Sequence, residues 1–182
     1  DISRENIHPE LVKAIVIIKK AAAQSNFELG LLEENKKNAI FEACDEIINS
    51  NLAEELKLDA FQGGAGTSTN MMVNEVIANR GIEMLGGKKG DYNLLHPNQD
   101  VNLGQSTNDV YPTALKLASL RLLIPLTEEV ADLQEALQEK EDEFANILKL
   151  GRTQLQDAVP ITLGQEFSAY AEAVSRDRWR LY

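Results

Sequence analysis

One cysteine, two histidines and no apolar run longer than a few residues are what this 182-residue chain has to work with. Each scarcity removes a class of function. A single thiol, Cys44, cannot close an intrachain disulfide or build a Cys-rich zinc centre, and it suits a reducing compartment as a buried structural group. His8 and His96 each precede a proline and stand alone, without metal-ligand spacing, so His8 reads as a solvated helix-start residue and His96 as an unpaired loop residue. The apolar run "LLIPL" is far too short to span a bilayer, and no basic segment followed by an apolar one opens the chain. The cytoplasm is the expected location. Basic residues are also in deficit: 18 Lys and Arg against 29 Asp and Glu leave a net charge of −11. That balance argues against nucleic acid or an anionic membrane as partner, and any anionic ligand must find a local cluster of donors.

What is present is helical periodicity. Residues 8–24 ("HPELVKAIVIIKKAAAQ") put Leu11, Ile15 and Ile18 on one face, with Pro9 in the first turn where its missing N–H costs little. A second helix follows Gly30 through Leu32, Ile40, Ala43 and Ile47, closing at Asn51. A third begins after Thr67 and Ser68, mixes Met72 and Val76 with Asn79 and Glu83, and ends at Gly86 and Gly87. From Asp109 to about Leu150 the pattern is helical throughout. Leu126, Val130, Leu133, Leu137, Phe144 and Leu148 form one stripe, and Pro125 is expected to bend the helix. The segment "GRTQLQDAVPITLG" reads as a polar loop before a last helix, in which Trp179 and Tyr182 are expected to pack. No strand, repeat or low-complexity tract stands out. The fold class is therefore all-α: an N-terminal helical domain, 1–106, followed by the start of a long-helix bundle, 107–182.

Three loops interrupt these helices with one recurring design. "GGAGTSTN", "GQSTND" and "GRTQLQD" each place glycine before hydroxyl and amide side chains, and the first two lead directly into a helix. Gly63, Gly64 and Gly66 forbid regular structure and permit close backbone approach to a ligand. Ser106, Thr107 and Asn108 fit two purposes. They are the residue types that cap a helix N-terminus, and they are hydroxyl and amide groups able to hold an anion beside a favourable helix dipole.

The blocks "QGGAGTSTNMMVNEVIANRGIE", "HPNQDVNLGQSTNDVYPTA" and "GRTQLQDAVPITLGQEFSAY" resemble, in order and spacing, three motifs of the aspartase/fumarase superfamily. The resemblance also takes in the opening "IHPELVKAIVIIKKAAA". Members of the superfamily cleave a C–N or C–O bond and release fumarate. Fumarases resemble Gly-Ser-Gly-Thr-Gln-Ser where this chain has Gly64-Ala65-Gly66-Thr67-Ser68-Thr69, and Arg-Thr-His-Thr-Gln-Asp where it has "RTQLQD". Gln154, Leu155 and Val159 therefore point to the aspartase branch. Fumarate hydration is the alternative, and so is a non-catalytic helical module, because some members serve as structural proteins.

The resemblance implies reversible elimination of ammonia from L-aspartate to give fumarate, by Cβ proton abstraction through an enediolate. It assigns Thr67, Ser106 and Thr107 to the β-carboxylate, and Asn108, Thr153 and Gln154 to the ammonium group. Some aspartases have His at the position of Gln154. No cofactor and no metal is implied for the elimination. The superfamily's flexible loop, resembling Gly-Ser-Ser-x-Met-Pro-x-Lys-x-Asn-Pro, occurs nowhere in these residues, so the chain is expected to be a fragment whose general base lies outside it. Long central helices are expected to associate into a homotetramer, with motif blocks from different subunits completing each site.

Overall fold

The computed structural model describes residue 3, residues 5–61 and residues 63–182. Among the described residues, six α-helices and one hairpin form two compact units, 1–120 and 121–182. The division falls inside a helix, whereas the boundary read from sequence lies at that helix's first residue.

The first unit is built on α1 (Pro9–Glu28), α2 (Glu34–Asn49), the single turn α3 (Leu52–Glu55), α4 (Thr67–Met84) and the first part of α5 (Thr107–Glu143). His8 caps α1 by accepting from the Glu10 N–H at Nδ1 (3.1 Å), with Pro9 at the first helical position. Its core is aliphatic. Val12, Ile15 and Val16 of α1 meet Ile40, Ala43, Cys44 and Ile47 of α2, and Val73, Ile77 and Ile82 of α4. Val110, Ala114 and Ala118, spaced four apart, bring α5 onto the same core.

The long connection between α4 and α5, rich in Gly, Asn, Asp and Pro, is ordered by local bonds. It contains a π-helical turn, Pro97–Val101, in which Val101 and Asn102 donate to the carbonyls of His96 and Pro97, five residues back. His96 is not unpaired: Nδ1 accepts from the N–H groups of Asn98 (3.0 Å) and Gln99 (3.2 Å), so it caps this turn. Asp100 accepts from the His96 N–H and is held to α2 by Lys36 at 2.9 Å.

In the second unit, α5 ends at Glu143, and Leu148 lies in a strand rather than extending the helical stripe. The expected loop is an antiparallel hairpin, β1 (Leu148–Thr153) and β2 (Gln156–Thr162), with an irregularity between Leu150 and Arg152. Glycine, threonine and proline obscured alternation there, and cross-strand pairing overrode the weak local pattern. The following helix α6 (Leu163–Leu181) opens with a capping box between Thr162 and Gln165. Phe167 of α6 packs on Phe144, with ring centroids 5.4 Å apart. Trp179 and Tyr182 do not pack within this unit, being 84% and 87% exposed. Helical geometry persists through Pro125, and Leu126 and Leu133 on the stripe are exposed. Among the described residues no helix is long and apolar enough to cross a membrane.

Candidate functional site

The first two glycine-hydroxyl blocks come together within one chain. Gly66, with φ +85°, turns the backbone into α4 at a point where a Cβ would lie 2.4 Å from Cδ2 of Tyr111 in α5. Only glycine allows the loop to lie on that ring. One turn further on, Nδ2 of Asn70 in α4 donates to Oγ1 of Thr107 at the start of α5 (3.0 Å). The first turns of the two helices are thus fastened to each other, with Thr67 exposed at the start of one and Ser106, Thr107 and Asn108 at the start of the other.

Both roles considered for Ser106 can be tested against its bonds. Its Oγ accepts from the Asn108 N–H (3.2 Å), and its carbonyl accepts from Asp109 (3.1 Å) and Val110 (3.0 Å). Capping is real. It also changes what the helix start can offer a ligand, because those N–H groups are engaged. The hydroxyls themselves are further donors. Ser106 Oγ and Thr107 Oγ1 each accept from a protein N–H, and each keeps its own proton to donate. Two hydroxyl protons at one helix N-terminus suit an acceptor-only group such as a carboxylate.

Beneath these hydroxyls lies a network that the sequence reading missed. Lys19 of α1 is fully buried, yet its Nζ donates to Oδ1 of Asn102 (2.7 Å) and Oε1 of Gln105 (3.0 Å). Asn70 and Asn74, fully buried on α4, also donate to Asn102 Oδ1, at 3.3 and 3.2 Å. Asn102 Nδ2 donates in turn to the Gln105 carbonyl (3.0 Å), and Asn26 Nδ2 to the Leu103 carbonyl (2.9 Å). The segment leading to Ser106 is therefore held by side chains from α1 and α4. Desolvation lowers the Lys19 pKa to about 7, with Cys44 opposing the shift; burial pushes the Cys44 thiol up to about 12. One signal was available: Lys19 continues the buried series Val12, Val16 toward Ala23 at helical spacing.

Thr153 and Gln154 belong to the second unit. They sit at the tip of the hairpin, where Thr153 pairs with Gln156 and its Oγ1 donates to Gln154 Oε1 (3.2 Å). Gln154 (φ +41°) and Leu155 (φ +61°) form the two-residue turn, both left-handed without being glycine. That backbone matches the twist of a tight hairpin, at a steric cost for side chains. Gln62, which opens the first motif block, lies outside the described residues. Among the described residues no three His, Cys, Asp or Glu side chains cluster as a metal ion would require.

Elsewhere on the first unit, a groove of about 410 Å³ is lined by Ile47, Leu52, Met72, Val76 and Arg80. Its one guanidinium already binds Glu46 (2.6 Å) and Glu83 (2.8 Å). Lys89, also on its lining, stands 3.4 Å from the same Glu83.

A family model described as lyase matches residues 2–182. The chain belongs to the lyase family, within the aspartase/fumarase superfamily. This lyase-family chain is similar to the aspartate ammonia-lyase of Bacillus sp., at 50% identity over 180 residues, which are 99% of this chain and 38% of that protein. It is likewise similar to the aspartate ammonia-lyase of Escherichia coli K12, at 51% identity, with 90% of this chain and 34% of that protein covered. Among solved structures, the fumarate lyase:delta crystallin of Brucella melitensis in native form matches with a TM-score of 0.90 and 55% identity, over 94% of this chain and 39% of that one. The class II fumarase of Schistosoma mansoni matches with a TM-score of 0.83 and 36% identity, over 96% and 36%. The lyase-family chain thus spans less than two fifths of the length of the curated relatives it matches.

Proposed function

We propose that this chain carries the carboxylate-binding part of an aspartate ammonia-lyase. The observation that carries the reading is the pair of hydroxyls at the start of α5, each accepting from a protein N–H and each left with a proton to give. Removal of the Cβ proton of aspartate places charge on the β-carboxylate, and donors fixed before the reaction stabilise that charge without reorganising. Thr67, Ser106 and Thr107 hold the β-carboxylate. Asn108 faces the ammonium group, and Thr153 and Gln154 at the hairpin tip complete that contact from a neighbouring subunit of a homotetramer. Residues 1–106 form the N-terminal domain, and residues 107–182 open the central bundle. The general base comes from chain outside these 182 residues, and the enzyme is cytoplasmic. Identity near 50% with aspartate ammonia-lyases supports this branch.

The test uses the full-length protein containing this chain. Ser106→Ala and Thr67→Ala are each expected to lower aspartate turnover by about 100- to 1000-fold, the usual effect of deleting one oxyanion donor. Circular dichroism should barely change. Activity within a few-fold of wild type would leave Ser106 a cap alone, worth about 1 kcal/mol of stability. Dominant conversion of fumarate to malate would move the protein to the fumarase branch.

A further inference from the structure

A fully buried ammonium with only neutral hydrogen-bond partners is expensive, and among the described residues Lys19 is one. Methionine would fill the same place in the α1 stripe without that cost. The side chain instead reaches the one stretch of backbone that leads into the hydroxyl site. Its two acceptors are Asn102, which bonds the Gln105 carbonyl, and Gln105, the residue immediately before Ser106. The polar surroundings do not neutralise it. Among the described residues, Asn102 Oδ1 takes three donors, from Lys19, Asn70 and Asn74, while Oδ1 of Asn70 and Oδ1 of Asn74 are buried with no partner. A carbonyl oxygen has two lone pairs, so this arrangement is not one that packing or local satisfaction alone would select.

We infer that Lys19 is a positioning residue of the site: its ammonium clamps Asn102 and Gln105 so that Ser106 and Thr107 are aimed, and supplies the buried positive charge that a dicarboxylate complements. The inference rests on the carboxylate reading above. Asn70 links the two halves of the device, since its one amide nitrogen donates both to the Lys19 partner Asn102 and to Thr107 Oγ1. Bound dianion raises the affinity of Lys19 for its proton, so ligand binding and protonation are coupled. Among the described residues Cys44 of α2 is the titratable group whose charge bears on Lys19, and its thiol stays protonated to about 12. The α4 face contributes Asn70 and Asn74, and the loop contributes Asn102 and Gln105, none of which titrates. The nearby ions of α1 and α2 are paired, Lys20 with Asp45 and Lys36 with Asp100.

The experiment measures inhibition of the full-length protein by succinate, an unreactive four-carbon dicarboxylate, together with aspartate turnover and thermal unfolding. Lys19→Met is expected to leave the melting temperature unchanged or higher, because a buried charge is removed. It should weaken succinate and lower kcat/KM, each by roughly 10- to 100-fold, as loss of a charged hydrogen-bonding group does. Lys19→Gln, which keeps a donor without the charge, should fall between. A structural residue would instead lose stability and activity together. In the wild-type protein, succinate should weaken by up to about tenfold per pH unit above about 7, and in Lys19→Met this slope should vanish. If neither variant folds, the wild-type pH series decides, and a flat series overturns the inference. So does kcat/KM within threefold of wild type in Lys19→Met. Retained activity in Lys19→Met with loss in Ser106→Ala overturns Lys19 alone, whereas retained activity in both overturns the carboxylate reading.

Discussion

Replacing Gly66 by alanine tests how the first two motif blocks are held together. The perturbation has two separable parts. Alanine at φ +85° must adopt a left-handed backbone, at a cost of about 1–2 kcal/mol. Its methyl group must also displace the Tyr111 ring, whose Cγ and Cδ atoms would stand 2.4–2.7 Å away. Overpacking of this kind costs about 1–3 kcal/mol, which brings the expected destabilisation to about 2–5 kcal/mol. Neighbouring Ala65 already holds φ +49°, so the ring clash is the part particular to position 66. A double-mutant cycle with Tyr111→Ala isolates it: removing the ring should relieve the clash and leave the backbone cost, giving a favourable coupling of about 1–3 kcal/mol. Urea unfolding of the full-length protein, followed by circular dichroism at fixed protein concentration, measures all four corners. Aspartate turnover of Gly66→Ala should fall as well, because Thr67 follows directly on the displaced loop. A loss under about 0.5 kcal/mol for the single variant, or strict additivity in the cycle, would refute the packing of Gly66 on Tyr111.

Two further outcomes follow from burial and backbone strain. Lys19 keeps its proton less well when folded, with a pKa near 7 against 10.5 when unfolded, so the unfolded chain binds the extra proton between those values and stability should rise with pH across that window, by up to about 1.4 kcal/mol per unit. Cys44 acts oppositely: its thiol ionises near 9 when unfolded and about 12 when folded, so its contribution falls with pH in that range, and the two nearly cancel between 9 and 10.5. Urea midpoints from pH 6 to 10 should climb and then flatten, and the climb should be missing in Lys19→Met. At the hairpin tip, Leu155→Gly removes a fully exposed side chain from a left-handed position. The relief of about 1–2 kcal/mol is partly offset by the greater freedom of glycine when unfolded, leaving a gain of up to about 1 kcal/mol in denaturant unfolding; a loss of that size would mean the turn is not left-handed at Leu155.

The helices were legible because their information is local. The spacing of Leu11, Ile15 and Ile18 states that α1 is a helix, although the structure buries Val12 and Val16 more fully than Ile18, and Pro9 and the Gly86–Gly87 pair mark ends in the sequence itself. The motif blocks were legible for the same reason, being short, ordered and specific in spacing. The hairpin was not, because what makes Leu148–Thr153 a strand is its partner Gln156–Thr162, and the irregularity at Leu150/Arg152 breaks the alternation that would have announced it. Nor could the chain alone show that Ser106 caps α5: that needed the direction of its bonds, with Oγ receiving the Asn108 N–H and Asn70 reaching Thr107 from 37 residues away. Lys19 is the clearest division of the two kinds of information. The face read from sequence, Leu11, Ile15 and Ile18, passed Lys19 over, since a lysine's long stem can carry its charge to solvent from a helix beside a core. Only the tertiary structure, by bringing Asn102 and Gln105 over α1 from more than 80 residues downstream, closed that exit and left the charge beneath the site.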